Sequence, residues 1–128
     1  MSYDKKIHGG YYEGIYNYIA AGGRHVMFSI GDWQGDHLVF FERNGQYGIL
    51  NHAYGSCSHC DPYESCGSDE ERASLAEDYK ASVRWFDNKA EFLDYCENKW
   101  LAGDAGYHID ESDYVNIYTK EARKFANV

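Results

Sequence analysis

No run of about 18 apolar residues exists in the chain, so no segment reads as a membrane-spanning helix. The opening MSYDKKIHGG has two lysines but no apolar stretch behind them, so it does not read as a signal peptide, and a cytoplasmic protein is the expectation. Proline occurs once, at Pro62, and nothing in the chain reads as an internal repeat, a low-complexity tract or an interdomain linker. A single domain over residues 1–128 is expected. G-x-S-x-G, P-loop, H-E-x-x-H and dinucleotide fingerprints are all missing. Gly10, Gly14, Gly22 and Gly23 lack the strand-to-helix context of a phosphate cradle. No catalytic residues are therefore assigned.

Basic residues are scarce as well, 12 Lys and Arg against 21 Asp and Glu, for a net charge of −9. Fifteen of the acids but five of the bases lie between Asp61 and Asp113, so that stretch carries −10 and the remainder +1. Binding to a nucleic-acid backbone or to an anionic membrane needs the opposite sign. An acidic face suits a basic partner, a basic protein surface in particular, or simply keeps the protein soluble. The candidate contacts are Asp69, Glu70, Glu71, Glu77, Asp78, Glu91 and Asp94. Oligomeric state has no signature in the sequence.

Hydrophobic residues make up 44%, enough for a core, and 13 residues are Tyr. Tyr buries a large ring and keeps a polar tip, so it fits both core margins and wet interfaces.

Periodicity gives the elements. Ile15, Tyr18 and Ile19 fit a short helix between Gly10 and Gly23, stopped by Gly22-Gly23, although Gly14 weakens it and a strand through Tyr11–Tyr16 competes. His25–Asp32 reads as a strand with Val26, Phe28 and Ile30 on one face. Asp36–Arg43 and Gln46–His52 follow as strands joined by Asn44-Gly45, the dipeptide that tolerates both positive φ angles of a type I′ turn. A two-residue loop sets Arg43 opposite Gln46 and Phe41 opposite Gly48. Ser68-Asp69-Glu70-Glu71 matches a capping box, predicting a helix to about Lys80 with Leu75 and Tyr79 inward. Ser82–Phe86 reads as a short strand. Asp87 or Asn88 then caps a helix with Phe92, Leu93, Cys96 and Trp100 in one apolar stripe. The tail from Glu111 to Ala126 fits a helix carrying Tyr114, Tyr118 and Phe125, or a strand through Tyr114–Tyr118 and a short helix. The class implied is α+β: a small antiparallel sheet with a central Asn-Gly hairpin and helices packed on one face.

The densest chemistry is in HAYGSCSHCDPYESCG. Cys57 and Cys60 are spaced to face one ion, Cys66 adds a third thiol, and His52, His59 or Cys96 would complete a tetrahedral zinc site. The metal set carried forward is Cys57, Cys60, Cys66 and His52. A loop of free thiols with no special role is the plain alternative. A Cys57–Cys60 redox pair lacks its usual βαβ setting. A nucleophile such as Cys57 with His52 as base would be a third use.

Tyr54–Asp61, YGSCSHCD, following a hairpin strand, resembles a YGSCSxCD-type segment in small bacteriophage proteins with no assigned activity. The likeness covers Leu38 to Asp61. It implies context alone: a phage accessory protein working in the cytoplasm of a bacterial host cell. Together with the acidic surface it leads to the expectation of a non-catalytic binding protein, an anti-defence factor or DNA mimic that inhibits a host protein. A zinc-stabilised regulatory domain and an enzyme of unrecognised type are the alternatives.

Overall fold

The computed structural model describes residues 2–31, 33, 35–55, 61–99 and 111–128, the side chains of 111–115 excepted. Four strands, β1 (Arg24–Gly31), β2 (Gly35–Arg43), β3 (Gln46–Tyr54) and β4 (Arg84–Phe86), form one antiparallel sheet in the order β1-β2-β3-β4. The β2–β3 hairpin is central, and Asn44 and Gly45 have φ of 50° and 81°, as a type I′ turn requires. Arg43 pairs with Gln46 and Phe41 with Gly48, as the turn chemistry predicts. Gly48 is glycine for a further reason: a Cβ there would stand 2.7 Å from Val83 Cγ1 and 2.9 Å from Trp85 Cε3. The absent side chain is the seat of the Trp85 ring.

The α+β class and the antiparallel sheet stand, but helices cover both faces of it, not one. Leu38, Val39, Phe40 and Phe41 are consecutive and all fully buried. Successive strand residues point to opposite faces, so both faces of β2 must be covered. On one face Val39, Phe41 and Leu50 pack with α2 (Tyr11–Ala20) and α3 (Asp69–Ser82). On the other, Ile30, Leu38, Phe40 and Ile49 pack with α4 (Lys89–Asp94), a π-helical turn (Tyr95–Lys99) and α5 (Glu111–Ala126). Val26 and Phe28 join that second layer, which agrees with their predicted common face.

The segment after Gly10 is helix, not strand. Ala21 (φ 49°) and Gly22 (φ 88°) make its left-handed stop. Gly14, which argues against a helix by propensity, is required by packing. Its Cβ would lie 1.9 Å from the Gly9 carbonyl oxygen, where the short α1 (Lys5–His8) turns back. Ser68 caps α3 by accepting from the Glu71 amide at 3.1 Å, while Glu71 accepts from Gly67 N–H rather than from Ser68, so half of the predicted box forms. Ala76 is the one buried residue of α3, with Leu75 and Tyr79 half-buried beside it. Asn88, not Asp87, caps α4. The tail is the helical alternative of its two readings, with Phe125 buried. Trp100 and the Tyr114 side chain lie outside the described residues.

Candidate functional site

The end of the hairpin where β2 begins and β3 ends carries a polar cluster under α2. The hairpin register sets His37 opposite His52. α2 contributes Tyr12 and Tyr16 one turn apart on its buried side, and α3 contributes Tyr79. The Tyr16 hydroxyl lies 2.8 Å from His37 Nδ1 and 2.6 Å from His52 Nε2. His52 Nδ1 is 3.0 Å from the Ala53 carbonyl oxygen. Tyr79 stacks on His52 with centroids 4.3 Å apart, and Tyr54 stacks on His37 at 4.7 Å.

The proton positions follow in order. A carbonyl oxygen only accepts, so His52 Nδ1 carries the hydrogen. Burial pushes the His52 pKa down to about 4, so the ring is neutral and Nε2 bears a lone pair. Tyr16, fully buried and held protonated by desolvation, therefore donates to His52 Nε2. Its oxygen then accepts from His37 Nδ1–H. Burial lowers the His37 pKa too, against the opposing pull of Asp61 and Asp36. The chain runs from His37 through Tyr16 and His52 to a backbone carbonyl, with one direction. It leaves His37 Nε2 as a lone pair that no described residue engages, in a half-buried ring. Chemically this is a neutral imidazole of fixed tautomer, suited to accepting a hydrogen bond or a proton.

Asp61 closes the neighbouring loop. Its carboxylate is buried and accepts from the amides of Gly55 and Glu64, each at 3.1 Å, with the Tyr11 hydroxyl at 3.5 Å. Tyr11 sits at φ 59°, its N–H donating to the Tyr63 hydroxyl at 2.9 Å, and its own hydroxyl directs its single hydrogen to Glu64 Oε1 at 3.1 Å. The Tyr63 amide donates to the Tyr12 hydroxyl at 3.1 Å. Aromatic residues of α2 thus anchor the turn at 61–65.

Of the residues singled out for metal, Cys57 and Cys60 lie outside the described residues, as does His59. Cys66 is half-buried with its thiol directed at the Pro62 carbonyl oxygen, 3.4 Å away, and burial raises its pKa. His52 has both ring nitrogens engaged. Among the described residues no three His, Cys, Asp or Glu side chains converge as a metal site would require. Cys96 is buried in the α4–α5 layer, where desolvation pushes its thiol up to about 12.

The seven acids are all exposed. Five are on α3, and Glu91 and Asp94 are on α4, which packs on the opposite face of the sheet. Asp69 pairs with Arg72 at 2.9 Å and Lys5 at 3.6 Å. Glu71 serves the α3 cap, Glu77 accepts from Tyr18, and Glu91 accepts from the Asp87 amide at 3.3 Å. Asp94 has Asn98 and Lys99 beside it, which hold its carboxyl below the usual range. Glu70 and Asp78 have no side-chain partner among the described residues. The acids of α3 form one group and those of α4 another.

No family model, curated protein or solved structure matches the chain. Among the described residues no helix is long and apolar enough to cross a membrane. Sequence reasoning missed Tyr12, Tyr16, His37 and Asp61. The hairpin register already implied the His37–His52 pair, since a two-residue turn at Asn44-Gly45 puts them opposite each other.

Proposed function

We propose that the protein is a non-catalytic binding protein that engages a basic surface of a host protein through the acidic face of α3. The observation that carries this is the imbalance of that helix. It fully buries only Ala76 of its 14 residues, while all five of its carboxylates remain exposed. A helix of that kind contributes little apolar burial to its own fold and presents a dense negative field. The resemblance of Tyr54–Asp61 to segments of phage proteins supplies the setting: an accessory or anti-defence factor in a bacterial cytoplasm. In its sharpest form the α3 face imitates a nucleic-acid backbone and occupies the basic channel of a host enzyme.

Glu70 and Asp78, which have no side-chain partner among the described residues, and Glu77, which accepts from the Tyr18 hydroxyl, are the contacts to test, because Asp69 and Glu71 hold the start of α3. The triple charge reversal Glu70→Lys, Glu77→Lys and Asp78→Lys is expected to abolish capture of host proteins at low salt, and added salt to weaken capture by the wild type. The same host proteins retained by the triple variant at low salt would rule the reading out. A captured protein that is released by competing DNA would favour the mimic over an ordinary acidic interface.

A further inference from the structure

The sheet has two edges of unequal length. β4 spans three residues, whereas β1 spans eight, and from Val26 to Ile30 it carries neither charge nor proline. Edge strands of this length are ordinarily blunted by a charge, a proline or a bulge, because their outward N–H and C=O groups template another strand. Among the described residues, no backbone hydrogen bond reaches β1 from any strand other than β2.

α5 lies along this edge, antiparallel to β1. Tyr118 packs on Phe28 with centroids 5.3 Å apart, and the Arg24 guanidinium stands 4.1 Å over the Phe125 ring. Between the two elements is a groove of about 310 Å³ floored by Val26, Phe28 and Phe125, with Glu121, Lys124 and Val128 on its α5 side. Residues 117, 121 and 124 recur at i, i+4 and i+7, so Ile117 continues that stripe, and Val128, two residues past the end of α5, follows beside Lys124. Ile117 is 50% exposed and Val128 94% exposed.

The stripe reads apolar, acidic, basic, apolar in the order Ile117, Glu121, Lys124, Val128. Glu121 and Lys124 are ion-paired with each other within the chain at 3.2 Å, and a second copy turned by a two-fold axis through the middle of the stripe brings Ile117 toward Val128 and joins the two ion pairs into one network of four charges. The same rotation sets β1 antiparallel to β1 of the second copy. α5 rests on Arg24 and Phe28 of β1 and on Phe40 of β2, so the two α5 helices of such a pair stand about two strand spacings apart, roughly 10 Å, a normal helix packing distance.

We propose that the chain forms a two-fold dimer in which β1 pairs with β1 of a second copy and the two α5 stripes face each other. The result is one continuous sheet of eight strands. The interface is isologous, as closed dimers require, and it leaves both acidic α3 faces free.

Sedimentation velocity of the full chain tests this. The wild type is expected at twice the 14.7 kDa chain mass. Lys124→Glu brings four carboxylates together across the axis, and Glu121→Lys brings four cations together, so each single variant is expected to be monomeric. The double variant Glu121→Lys with Lys124→Glu restores the complementary pairs and is expected to dimerise again. Both residues are on the protein surface, and circular dichroism of the single variants confirms that they remain folded. A monomeric wild type overturns the proposal. So does a dimer that neither single variant weakens, which would place the contact elsewhere. So does a double variant that stays monomeric, which would mean that the charges do not meet across the axis.

Discussion

Tyr16 donates its hydroxyl hydrogen to His52 Nε2 across 2.6 Å, and this bond fixes the protonation of everything around it. His52 is anchored on its other side by the Ala53 carbonyl, so its ring has one tautomer and Tyr16 one donor direction. His37 inherits its tautomer in turn, through a bond of 2.8 Å to the Tyr16 oxygen.

Removing that hydroxyl isolates two nitrogens at once. Tyr16→Phe is expected to destabilise the fold by about 1–3 kcal/mol in chemical denaturation, the cost of leaving buried polar groups unpaired. Long-range nitrogen–proton NMR spectra of the wild type should show hydrogen on Nδ1 of both His37 and His52. In Tyr16→Phe the His37 ring should become a mixture of tautomers. A wild-type His37 carrying its hydrogen on Nε2 would refute the direction of the chain.

Acid should loosen the structure through His52. Its folded pKa is depressed to about 4 from an ordinary 6.5. Above pH 6.5 the ring is neutral in both states and contributes no pH dependence. As pH falls from 6.5 toward 4, the unfolded chain takes up a proton that the folded one refuses, and stability is lost. Below 4 both states are protonated and the loss levels off. The total is on the order of 3 kcal/mol. His37 acts in the same direction. Melting temperatures of wild type and His52→Gln between pH 7 and 4 check this. The variant is less stable at neutral pH, and the expected result is that the difference narrows on acidification.

Any zinc bound by the loop thiols is expected to be held without His52, because both of its nitrogens are already committed. Native mass spectrometry of wild type and His52→Gln should give the same metal content per chain. A metal ion present in the wild type and missing from the variant would show that Tyr16 and Ala53 release the ring. In the same samples Cys96 should resist alkylation until the protein is denatured, because it is buried and its thiol titrates near 12.

Gly48→Ala drives a methyl group into Trp85 and Val83. The cost should be about 1–3 kcal/mol. Gly10→Ala, at a position where a Cβ meets nothing, should leave stability nearly unchanged. Equal losses at the two sites would contradict the packing described for β4.

Local chemistry was the legible part. Asn44-Gly45 carried the hairpin and its register, Ser68 the start of α3, and the Val26–Phe28–Ile30 alternation the core face of β1. Each depends on a few neighbouring residues. The two-sided sheet was also readable, because Leu38-Val39-Phe40-Phe41 is a continuous apolar run and not an alternation. Gly14 counted against a helix that is in fact present, since propensity weighs a residue against solvent and not against the Gly9 carbonyl. The polar cluster was hidden for a different reason. Tyr12 and Tyr16 have the spacing of ordinary core aromatics, and Asp61 was one carboxylate among many until the fold brought two amides and a hydroxyl to it.

Asp61 has a consequence for how the chain can vary. By binding the amides of both Gly55 and Glu64 it brings the two ends of the intervening stretch to a single buried post. Both carboxylate oxygens are used, one for each amide, so an asparagine at position 61, with one acceptor oxygen and one NH2 donor, must release one of the two ends. Descendants of this sequence are therefore expected to keep aspartate at 61, a carboxylate retained as a fastening and not as a charge.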